Sequence, residues 1–169
     1  MKPLRPPDSL HLQAARGWLE LENHVEAGKE LEEITPRARA HPEVVLVRWA
    51  FHTYAGNSRA ALDTASELVR LRPHDLVARL GLSISLHELK RTKEALDNLL
   101  AVEDKFSDSA LLYFDLARYE CQLGRLDDAR ARLRLLFEVD RRLFKELALS
   151  EPDLEPLWKE IRLRGKGRK

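Results

Sequence analysis

Residues 55–73 read AGNSRAALDTASELVRLRP. A glycine at Gly56 suits the left-handed end of one helix, and Ser58 onward starts another whose apolar residues Ala61, Ala65 and Leu68 fall at i, i+4 and i+7. Pro73 closes the segment, because proline disfavours helix in the residue before it. Stepping outward by 34 residues in both directions recovers the same plan. Ala27, Ala61, Ala95 and Ala129 form one column, Leu31, Ala65, Leu99 and Leu133 a second, and Ile34, Leu68, Val102 and Leu136 a third. That interval is the period of a helix-turn-helix repeat. A unit of this size cannot bury its own apolar face, so its neighbours must stack against it.

The period divides the chain into an N-terminal extension (residues 1–7), four units (8–41, 42–75, 76–109 and 110–141), C-terminal capping helices (142–163) and a basic tail (164–169). Each unit is expected to hold two antiparallel helices. Gly56 and Gly124 end two of the first helices, whereas Glu22 and Lys90 fill the same column in the other units, whose turns should be strained or differently closed. Thr35-Pro36 cuts short the second helix of the first unit, and Pro42 opens the next one. Beyond the units, Arg141 to Leu149 reads as a short helix, Ser150-Glu151-Pro152 as a break, and Asp153 to Leu163 as a final helix. Leu154, Leu157, Trp158 and Ile161 would give that helix one apolar face to cover the last unit.

Composition agrees with an all-α chain. Seven glycines, few β-branched residues and abundant Leu, Ala, Arg and Glu favour helix, and no sheet is expected. A chain of 169 residues is long enough to bury about 70% of its unfolded surface. The net charge is +1, which gives no overall field to capture nucleic acid or membrane. The segment RLRGKGRK, Arg162 to Lys169, holds five basic residues, so the remainder carries −4. Cys121 is the single cysteine and forms no internal disulfide, and MKPLRPPDSL resembles neither a leader nor a membrane span. A cytoplasmic location is the default expectation.

The alanine column together with Gly56, Gly124, Pro73 and the segments at 55–73 and 123–133 (LGRLDDARARL) resembles the tetratricopeptide repeat (TPR) family over residues 8–141. The first unit departs from the pattern, with Glu22 for glycine and Arg39 for proline. SEPDLEPLWKEI, residues 150–161, is similar to the ending of small bacterial stand-alone TPR proteins. The resemblance implies a right-handed α-solenoid that binds a peptide or helix of a partner protein in a concave groove lined by the first helix of each unit. The matching positions are Leu12, Arg16 and Leu19, then Leu46, Val47, Ala50 and Tyr54, then Val77, Leu80, Ile84 and His87, then Leu111, Phe114, Asp115, Arg118 and Gln122. Leu12, Val47, Val77 and Gly81 replace the basic and amide residues with which chaperone-binding members grip a carboxylate, so such a ligand is not expected.

Other chemistry is thinly represented. His11, His24, His41, His52, His74 and His87 form no pair with metal-ligand spacing on one helix face, and neither metal nor other cofactor is expected. Trp18, Trp49 and Trp158 sit on apolar stripes and read as packing residues, while Cys121 has no neighbouring base and reads as a buried thiol. No catalytic motif stands out, so binding is expected rather than catalysis. Two further readings remain at this stage: nucleic-acid association through the basic tail, and self-association through Leu10, Ala14 and Trp18, which have no preceding unit to cover them.

Overall fold

The structure is a computed structural model that describes the backbone of residues 3–165 and the side chains of residues 3–162. The basic tail therefore lies largely outside the described residues. The described chain is all-α, without a strand. It divides after Leu89 into two compact units.

The first unit contains α1 (Asp8–Glu20), α2 (His24–Glu33), α3 (Pro42–Tyr54), α4 (Ser58–Leu71) and α5 (Leu76–Glu88). Helices α1 and α2 pair as a hairpin, α3 and α4 as another, and α5 packs on α4. The second unit contains α6 (Thr92–Leu100), a 3-10 turn (Glu103–Lys105), α7 (Ala110–Gln122), α8 (Leu126–Val139), α9 (Arg141–Leu147), a 3-10 segment (Pro152–Leu157) and α10 (Trp158–Gly165). There α6 packs on α7, α7 and α8 pair, α9 rests on α8, and the 3-10 segment lies against α7.

Helices α1, α3, α5 and α7 are each 13 residues long and begin at 34-residue intervals. The alanine column of α2, α4, α6 and α8 is at most 2% exposed, and the two columns that follow it are buried as well. A side chain larger than alanine would overpack these contacts, typically at a cost of about 1–3 kcal/mol.

The turn column behaves uniformly. Glu22, Gly56, Lys90 and Gly124 have φ of 56°, 71°, 61° and 74°, so all four positions are left-handed whatever the side chain. Around Glu22, the N–H of Glu22 reaches Leu19 O and that of Asn23 reaches Trp18 O; Gly56 with Asn57, and Gly124 with Arg125, repeat this paired closure. These are Schellman ends, in which two late carbonyls of a helix receive partners. The expected strain at Glu22 and Lys90 is thus a Cβ held in the left-handed region, worth roughly 1–2 kcal/mol per residue.

Local chemistry also explains the irregular parts. Helix α2 stops at Glu33, where Asp8 accepts from both the N–H and the hydroxyl of Thr35, at 2.7 and 3.0 Å. Arg39 then donates to Ile34 O and Glu32 O, satisfying carbonyls that the helix leaves open. The terminal stretch from Asp153 is two elements rather than one continuous α-helix. Pro156 has no N–H to give an α-helical ladder, and the chain holds a 3-10 form until Trp158. Helix α10 runs on to Gly165, two residues past Leu163.

Candidate functional site

The first helices α1, α3 and α5 stand together in the first unit, with α3 in contact with both of the others. A side chain on each points into the hairpin or away from it, and the sequence-derived stripe splits accordingly. Leu12, Leu19 and Val47 belong to the buried core with Ala27, Leu31 and Ile34. Leu80 and His87 are buried as well. The surface share consists of Arg16, the half-buried Leu46, Ala50 and Ile84, and the exposed Tyr54 and Val77. Tyr54 is 63% and Val77 51% exposed, which marks them as apolar groups without an intramolecular cover. Arg16 reaches Glu43 across α1 and α3 at 3.4 Å, a loose pair in which both side chains are about half in solvent.

Helix α5 is seated by a hydrogen-bonded chain. Trp49 Nε1 donates to Ser85 Oγ at 2.9 Å, and Ser85 Oγ donates to Gly81 O at 2.9 Å. Gly81 lies flat under the Trp49 ring, where a Cβ would stand 3.2 Å from the indole. The missing side chain sets the approach of α3 and α5, and so the spacing of the surface residues they carry.

In the second unit the corresponding face of α7 is different. Leu111 is 48% exposed, but Phe114 and Asp115 are buried. Arg118 sits at the centre of three carboxylates: Nη1 to Asp115 at 3.0 Å, Nε to Glu151 at 3.2 Å, and Nη2 to Asp153 at 3.1 Å. Gln122 donates its side-chain N–H to Asp153 O at 3.2 Å. The guanidinium also lies over the rings of Phe114 and Tyr119, at 5.6 and 5.8 Å from their centroids. Leu154 and Leu157 of the same segment are fully buried. Residues 151–157 thus form a strap across α7. The sequence places Arg118 on the helix face but gives no sign that Glu151 and Asp153 will meet it.

Burial raises the Asp115 carboxyl to about 6, and the two strap carboxylates add to that against the opposing pull of Arg118. Burial likewise pushes up the Tyr119 phenol, the Glu120 carboxyl and the Cys121 thiol, the last of which is held within α7. In the first unit, burial and then the Arg48 charge lower the His52 imidazole. His11 pairs with Glu30 at 2.8 Å, and His41 accepts from Glu43 N at the start of α3. Among the described residues no group of His, Cys, Asp and Glu is arranged to hold a metal ion, and no helix is long and apolar enough to cross a membrane. Leu10 is exposed, whereas Trp18 packs on the core of the first unit.

No model of a known protein family matches the sequence, and neither does any curated protein. Similar folds occur among solved structures. MamA of Desulfovibrio magneticus RS-1 is 18% identical, with a TM-score of 0.75 over 97% of this chain and 96% of that one. A thermophilic TPR protein of Thermus thermophilus is 19% identical, with a TM-score of 0.72 over 94% of this chain and 97% of the other.

Proposed function

Taking the chain as a protein with the tetratricopeptide-repeat fold, we propose that it is a non-enzymatic interaction scaffold that binds a peptide or helix of a partner protein on its first-helix faces. The observation that carries this reading is the apolar surface left on α3 and α5: Tyr54 at the end of α3 and Val77 near the start of α5 are more than half exposed, and Leu46, Ala50 and Ile84 are half-buried on the same helices. Water contact at such a set is unfavourable by about 25 cal/mol per Å² of apolar surface, so a partner that covers it gains that free energy. An amphipathic helix with anchors at i, i+3 and i+7 suits a face built from parallel helical ridges. Arg16 and Glu43 at one edge supply a polar register mark. A cytoplasmic setting fits the reading, since the single thiol Cys121 is buried and free.

The test is a pair of surface changes that leave the core alone, Tyr54→Glu with Val77→Glu. Partners recovered with the natural chain should be lost with the double variant, while thermal unfolding of the two proteins coincides. Equal recovery of the same partners by both would remove α3 and α5 from the binding face. The basic tail is tested separately: removal of residues 164–169 should leave retention on RNA unchanged.

A further inference from the structure

The strap carries more information than a cover for apolar surface requires. Its six-residue 3-10 segment contains Pro152 and Pro156, neither of which has an N–H to donate, and its tertiary polar contacts run through Glu151, Asp153 and the Asp153 carbonyl. Asp115, Glu151 and Asp153 crowd one guanidinium, so the fully ionised contact holds two negative charges in excess. Like charges at this spacing oppose one another. The strap is thus held to α7 by an acidic pair on one guanidinium and by the two buried leucines behind it, which is the form a bound segment would take. Leu111, one turn before Asp115 on the same helix, stays exposed beside the covered stretch and offers an entering chain a first foothold.

The geometry points to the strap being a tethered stand-in: the face of α7 formed by Leu111, Arg118 and Gln122 is a recognition site for a partner segment with two acidic residues followed by leucines, and residues 151–157 occupy it until such a segment displaces them. Arg118 Nε and Nη2 each reach one strap carboxylate, and the burial of Leu154 and Leu157 shows the apolar anchors that follow the acidic pair. This inference rests on the reading that first helices bind partners, and its test uses no residue of α3 or α5, so the two fail separately.

The probe is a labelled peptide with the sequence of residues 150–161, SEPDLEPLWKEI, added to the full chain and followed by fluorescence anisotropy. In the natural chain the strap competes. In the double variant Glu151→Gln, Asp153→Asn the strap loses its hold, so backbone amides within 151–161 should exchange at least tenfold faster and the peptide should bind at least tenfold tighter. A peptide carrying the same two changes should not bind. Adding Arg118→Gln, or the milder Arg118→Lys that keeps the charge and loses the fork, should cancel the gain. Unchanged exchange in the double variant would overturn the claim that these carboxylates hold the strap. Faster exchange without tighter peptide binding, or binding indifferent to both Arg118 variants, would overturn the claim that α7 is a receptor.

Discussion

Arg16 and Arg118 stand at the same position in α1 and α7, three repeat lengths apart, and their surroundings differ completely. Arg16 is about half exposed and meets one carboxylate at 3.4 Å. Arg118 is 14% exposed and meets three at 3.0–3.2 Å, two of them brought by a segment that follows the hairpins. The same residue at the same register is a solvated rim charge in one unit and the anchor of a folded strap in the other. Position in a repeat fixes where a side chain points; the remainder of the chain decides what it finds there.

The largest expected effect comes from breaking the richer site. Arg118→Gln leaves Asp115 buried without its cation, and loss of one partner of a buried ion pair typically costs about 3–5 kcal/mol, read as a lower urea midpoint. Next comes the pH dependence. The Asp115 carboxyl is raised from 3.8 to about 6 in the folded chain, so the native state binds the proton more readily than the unfolded one. The contribution of Asp115 to stability should therefore be fully present below the unfolded value and be lost as pH rises toward 6, by up to roughly 3 kcal/mol at 1.36 kcal/mol per pH unit. Asp115→Asn should flatten urea midpoints across that window; an unchanged slope would show that Asp115 does not control it.

Smaller effects sharpen the contrast between the units. Gly124→Ala places a Cβ in the left-handed turn after α7 and should cost about 1 kcal/mol, while Glu22→Gly in the matching turn after α1 should gain a few tenths up to about 1 kcal/mol. Thermal melts of the two variants should shift in opposite directions. At the bottom of the scale, Arg16→Gln should cost less than about 1 kcal/mol, as loss of an exposed ion pair does, and leave the urea midpoint little changed. A large loss there would mean that the two arginines are not the contrasting pair described.

Much of the fold is legible in the sequence because it is periodic. The alanine column and its followers announce the buried stripe of every second helix, and Gly56 and Gly124 mark turns whose φ is the same at Glu22 and Lys90. Helix α6, with nine residues, is shorter than its counterpart α4, and no single residue in 92–102 announces where it stops. The candidate face is legible only as a stripe. Hydrophobic spacing does not separate Val47, which enters the core, from Leu46 beside it, which stays half open, because both sit at the boundary between two packed helices. The apolar side of the strap and of α10 after it is legible in Leu154, Leu157 and Ile161, all buried, but the strap's polar hold on α7 is beyond local pattern. Arg118 and Asp153 are 35 residues apart, and nothing in the helix period ties a carboxylate after a proline to a guanidinium on an earlier helix.

The indole of Trp49, bonded to Ser85 and lying on the Gly81 backbone, also makes the first unit its own gauge. With Trp18 and Trp158 changed to phenylalanine, emission would come from one ring wedged between α3 and α5. A ligand that spreads or tightens those helices would alter the polarity and quenching around that ring, and the colour of the emitted light would follow.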